Sequence, residues 1–192
     1  MSVSHHTTAA RRRLTGKRAA TVGRLTEAAM QAVREIPYSE LTFQQIAARA
    51  GVTRATAYVY FSSKEHLIAE IYRRRLLDTP PPDISGLSAP ARVAATLRHL
   101  ALLCTDNPEF GRAAARSLLS DAPDVEELRI QINTDIRAML THALGPDADT
   151  SVADLLELVY AGAIMRAGTG HQSYLEVAAT LEHAAHTILA TA

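Results

Sequence analysis

The feature that most constrains this 192-residue chain is a short turn, Ala50-Gly51-Val52, with an amphipathic segment on either side. Before the turn, Phe43, Ile46, Ala47 and Ala50 recur at helical spacing behind Thr42, a residue suited to cap a helix N-terminus. Gly51 ends that helix as a residue free to take a positive φ. Thr53 then opens a second short helix that runs to about Tyr60. Ala47 is small where the two helices must approach, and Val52 fills the angle between them. This is the construction of a helix-turn-helix. The second helix is too polar for a core. It presents Thr53, Arg54, Thr56 and Tyr58, and Ala55 is small enough for a partner surface to come close to the backbone.

Charge points to what that partner is. The formal net charge is zero, but it is divided unevenly. Residues 1–75 hold 13 Lys/Arg against 5 Asp/Glu, a net of +8, and the remainder holds 7 against 15, a net of −8. A basic N-terminal part on an acidic remainder suits a polyanion on one side only, and double-stranded DNA is the expected partner.

The rest of the chain reads as helices. Residues 1–16, with Arg11-Arg12-Arg13, show no apolar periodicity and are expected to form a disordered basic arm. Val22, Leu25, Ala29, Ala32 and Ile36 share one face of a helix from about Lys17 to Ile36, which Pro37 stops. Ser62 and Glu65 have capping-box spacing before a fourth helix, and Ser63 is the other possible cap. Three consecutive prolines, residues 80–82, break the chain near residues 77–88. Beyond them five helices are expected, over about 89–105, 108–119, 123–144, 150–167 and 173–190. With no β alternation in view, the expected fold is all-α, with about nine helices in three parts: the arm (1–16), a helix-turn-helix domain with its connecting fourth helix (17–77), and a helical ligand-binding and dimerisation domain (78–192).

The run Thr42-x-x-x-Ile46-Ala47-x-x-Ala50-Gly51-Val52-Thr53-x-x-Thr56-x-Tyr58-x-Tyr60-Phe61-x-Ser63-Lys64-Glu65-x-Leu67 resembles the TetR (tetracycline-repressor-like) family. Pro37, where such proteins commonly have glycine, and Ala57, in place of a larger aliphatic, depart from the pattern. The resemblance implies a dimeric DNA-binding repressor released from a palindromic operator by a small molecule. It also implies that Thr42, Tyr58, Tyr60 and Lys64 contact phosphates, and that Gln44, Arg54 and Thr56 read base edges, with Arg54 suited to guanine.

In the C-terminal part, Leu103, Phe110, Leu119, Met139, Tyr160 and Met165 are candidates to line a partly apolar effector pocket. Arg166, a charge ending an apolar helix, would pair with a carboxylate or hold the polar end of that effector. Tyr174, Ala178, Leu181, Ala185 and Ile188 repeat at coiled-coil spacing, and Val152, Leu155, Leu156, Val159 and Ala163 give a neighbouring stripe. Two such helices from each of two chains would make a four-helix dimer interface, the alternative being that both stripes face their own core. Cys104 is the sole cysteine and reads as a buried small residue; His183 and His186 read as solvated, lacking a third ligand. No catalytic constellation, metal site, cofactor motif, membrane span or secretory signal is legible, which favours a non-enzymatic cytoplasmic protein. The competing function is a constitutive or architectural DNA-binding protein without a ligand.

Overall fold

The computed structural model describes residues 4–146 and 149–190. Those residues form nine α-helices and no strand: α1 (Ser4–Glu35), α2 (Phe43–Arg49), α3 (Arg54–Tyr60), α4 (Lys64–Asp78), α5 (Ala89–Leu102), α6 (Pro108–Ser117), α7 (Pro123–Leu144), α8 (Thr150–Gly168) and α9 (Tyr174–Ala190). The chain divides into two compact units, one ending at Ile68 and the other beginning at Ala69, so the division falls within α4. The three prolines at 80–82 come after the end of α4, which runs unbroken through the division to Asp78.

α1 begins at Ser4, which corrects the expectation of a disordered arm for the part of residues 1–16 that is described; Met1–Val3 lie outside it. Missing apolar periodicity reports that a segment has nothing to pack on. It does not report that the backbone avoids a helix, and Ala9-Ala10-Arg11-Arg12-Arg13-Leu14 is made of strong helix formers.

In the first unit, Leu25, Ala29 and Ala32 of α1 are buried together with Leu41, Ile46, Ala57, Phe61 and Leu67. α2 ends in a Schellman turn: the Val52 amide donates to the Ala47 carbonyl (3.0 Å) and the Gly51 amide to that of Ala48 (3.1 Å). Gly51 sits at φ +64°, where a side chain would be strained. Ala57 is fully buried, so its small size fits a close approach of α3 to the core. Pro37 stops α1, and its carbonyl accepts from the amides of Glu40 (2.9 Å) and Leu41 (3.0 Å).

In the second unit, α9 packs most extensively along α5, while α8 packs against α6, α7 and α9. A Cβ on Gly111 of α6 would lie 2.2 Å from the Tyr174 hydroxyl, so the bare backbone there is what admits the Tyr174 ring. Arg92 of α5 donates to the carbonyls of Ala143 (2.7 Å) and Leu144 (2.9 Å), a cation satisfying the exposed end of α7. The second half of α4 belongs to this unit. Ala69 packs with Val125 and Leu128 of α7, and Arg73 pairs with Asp135 at 3.4 Å.

That packing takes six residues of the expected dimer seam off the surface. Tyr174, Ala178, Leu181 and Ala185 of α9 and Leu156 and Ala163 of α8 are buried in the core of their own chain, while Val152, Val159 and Ile188 are half-buried. A 4-3-4-3 repeat reports one apolar face; it does not say whether α5 of the same chain or a second copy covers it. The large apolar side chains that α8 and α9 leave exposed are Leu155, which belongs to the expected stripe, and Leu158, Met165 and Leu175, which do not.

Candidate nucleic-acid interface and ligand cavity

The helix-turn-helix carries two kinds of polar side chain, spent and unspent. Thr42 caps α2 in a reciprocal box. Its hydroxyl accepts from the Gln45 amide (3.2 Å), and the Gln45 side-chain oxygen accepts from the Thr42 amide (2.7 Å). Thr53 caps α3 by accepting from the Thr56 amide (3.1 Å), and the two hydroxyls meet at 2.8 Å. Gln44, Arg54, Ala55, Thr56 and Tyr58 are exposed, and Tyr60 is half-buried. Tyr58 packs edge-on against Phe43 of α2 (5.0 Å between ring centroids), and the Arg54 guanidinium lies 5.4 Å from the centre of the Tyr58 ring. The aromatic pair thus supports Arg54 from below and limits the directions its fork takes.

Lys64 is placed differently from expectation. Its ammonium donates to the carbonyls of Tyr38 (2.8 Å) and Leu41 (2.6 Å) and lies 4.3 Å from the centre of the Tyr38 ring. Two of its three protons therefore brace the loop between α1 and α2 rather than pointing outward. Of the two serines, Ser63 caps α4, accepting from the His66 amide at 3.0 Å, while Ser62 engages the His66 ring. Sequence reasoning passed over Val59, which is 76% exposed on α3. A β-branched residue amid polar neighbours on a short exposed helix is the signal that marks it.

In the second unit, α6, α7 and α8 with Tyr72 of α4 enclose an open cavity of about 560 Å³. Of the expected lining residues, Leu119, Tyr160 and Met165 are on its wall. Leu103 and Phe110 are instead buried core, Met139 is half-buried away from the wall, and Arg166 is exposed and donates to the Gln172 side chain (2.7 Å). Spacing selected the apolar residues correctly but not which of them face a void. The hydroxyls of Tyr72 and Tyr160 meet at 3.3 Å, and burial pushes both phenols above their ordinary range. Arg137 bridges Asp154 (2.7 Å) and Glu157 (2.8 Å), two residues of the lining. Cys104 is buried, its thiol pushed up to about 12, which leaves it unreactive.

Residues 25–71 match the family described as bacterial regulatory proteins, tetR family. An uncharacterized HTH-type transcriptional regulator of Mycobacterium tuberculosis is 42% identical over 175 residues, covering 90% of this chain and 82% of that one. The chain belongs to the TetR family. Its counterpart in Mycobacterium bovis stands at the same values. A TetR regulator from Rhodococcus sp. RHA1 superposes with a TM-score of 0.70 at 22% identity, over 92% of this chain and 99% of that one. One from Haloarcula marismortui gives 0.68 at 23%, over 88% and 96%. This TetR protein is a DNA-binding transcriptional regulator and not an enzyme. Among the described residues no helix is long and apolar enough to cross a membrane, and no group of three or more His, Cys, Asp or Glu is placed to hold a metal.

Proposed function

We propose that this regulator is a cytoplasmic repressor that binds a palindromic operator as a homodimer and leaves it when a small, partly apolar effector enters the second unit. The observation that carries this reading is α4. One continuous helix brings Lys64 to the loop of the helix-turn-helix unit and Tyr72 to the cavity wall of the other. A ligand that binds better when α4 has shifted would move the recognition helices away from the spacing of about 34–36 Å that successive major grooves demand.

On the DNA side, Arg54 is the principal base reader, with Gln44 and Thr56 beside it and Val59 available to a thymine methyl. Tyr58 and Tyr60 offer hydroxyls to phosphates, and the α2 and α3 N-termini capped by Thr42 and Thr53 present amides to them. Lys64 acts through the loop it braces. The exposed Leu155, Leu158 and Leu175 of α8 and α9 are the surface for the second copy.

The test begins with an operator selected from random DNA. Dimers should select a two-fold symmetric site, and a ligand found by thermal-shift screening should weaken operator binding about 5–150-fold. An asymmetric or absent consensus would count against the palindrome. Operator affinity indifferent to every bound ligand would return the constitutive reading.

A further inference from the structure

The cavity between α6, α7 and α8 has buried phenol hydroxyls in its wall, and the contact between them leaves one O–H unspent. Its inner wall is apolar, formed by residues such as Leu118, Ile132, Ile136 and Ile164. Set into that wall are the phenols of Tyr72 and Tyr160, 7% and 5% exposed. Burial raises both above the ordinary range, so both keep their protons. At 3.3 Å from each other, they spend one proton on the contact between them, and the accepting phenol keeps its own. Behind them a chamber of about 30 Å³ shares Tyr72, Leu118, Ala115 and Ile164 with the larger cavity and ends at Tyr174. Tyr174 is 6% exposed, and among the described residues its hydroxyl meets no partner.

The charged residues on the wall are Arg129, Asp154 and Glu157. Asp154 and Glu157 are bridged by Arg137, and Arg129 donates to the carbonyls of Leu118 (2.8 Å) and Ser120 (3.3 Å). Each of these charges already has a partner, the two carboxylates in Arg137 and Arg129 in two backbone carbonyls. An ion driven inward would lose its hydration without a partner, whereas an uncharged acceptor would meet waiting phenol protons.

We propose that the cavity takes an uncharged, mostly apolar molecule whose leading end carries a carbonyl-type acceptor, a ketone, ester or amide, received by the Tyr72–Tyr160 pair with Tyr174 behind it. This rests on the reading of the cavity as the effector site. It narrows the effector class to neutral acceptors and sets aside fatty acids and organic cations.

Isosteric probes test it on the full chain. Propiophenone and propylbenzene differ in a carbonyl against a methylene, and 3-phenylpropanoate supplies the anion. Dissociation constants are measured by calorimetry for wild type and for the Tyr72→Phe/Tyr160→Phe double variant, so that the difference in hydrophobic transfer between probes cancels. Removing the hydroxyls should weaken propiophenone about 2–10-fold and leave propylbenzene unchanged or tighter. The anion should bind wild type at least about tenfold more weakly than the ketone. If the double variant melts early, Tyr160→Phe alone carries the same comparison. Equal responses of ketone and hydrocarbon to the variant, or tighter binding of the anion, would overturn the proposal while leaving the cavity as an effector site. Binding of none of the probes would overturn both.

Discussion

The two units hide their apolar surface by the same means and differ in what they do with polar side chains. In the first, polar groups lie on the surface and are sorted by position: Thr42, Thr53 and Ser63 close helix ends, while Arg54, Thr56 and Gln44 are left outward. In the second, polar groups go inside, as the phenols of Tyr72, Tyr160 and Tyr174 do. A surface with unspent donors suits a large, charged, hydrated partner such as DNA. A mostly apolar cavity with a few buried hydroxyls suits a small, weakly polar one. The lesson is that the same residue types report different partners according to burial.

The largest effect that could break this comparison is in the second unit's core. Leu181→Ala should cost about 2–5 kcal/mol of stability in urea unfolding, because Leu181 is fully buried. Leu158→Glu, at 72% exposure, should leave the urea midpoint of the monomer nearly unchanged and shift sedimentation from dimer toward monomer. Dissociation by Leu181→Ala without loss of stability would restore the α9 seam. Next, Arg54→Ala should cost about 1–3 kcal/mol of specific operator binding and relax preference at one base position, read by anisotropy against single-base operator variants. A uniform loss across all sequences would make Arg54 a phosphate contact instead.

Lys64→Ala sharpens the contrast between spent and unspent cations. With two carbonyls left without their charged donor, it should lower stability by about 1–2 kcal/mol. A pure loss of salt-dependent DNA affinity with unchanged stability would return Lys64 to the backbone of DNA. The smallest effect is at Tyr174. Its hydroxyl is buried without a partner among the described residues, so Tyr174→Phe should be neutral or stabilising by up to about 1 kcal/mol in the absence of ligand. A clear destabilisation would mean that the hydroxyl is satisfied.

The difference also explains what was legible in the sequence. Helix positions were, because Pro108, Pro123, Gly145 and the turn at Gly51 act locally, and local signals survive in one dimension. The two short helices around the turn were legible for the same reason, since the Thr42 and Thr53 caps and Gly51 act within a few residues. Which face meets which neighbour was not. Tyr174, Leu181 and Ala185 repeat as a dimer seam would, yet they are buried within their own chain. Phe110 is as apolar as Leu119, but one fills the core and the other borders the void. Lys64 finds carbonyls 23 and 26 residues away, a pairing that spacing does not encode.

The central claim is that the two units are coupled through α4, and linkage gives its most direct test. A labelled operator duplex is titrated with protein at graded saturation by a ligand from the thermal-shift screen, and the ligand is titrated calorimetrically with and without operator. Coupling predicts that the operator weakens about 5–150-fold at saturation and that the ligand weakens by the same factor on the operator complex. Operator affinity that stays constant from empty to saturated protein would contradict it.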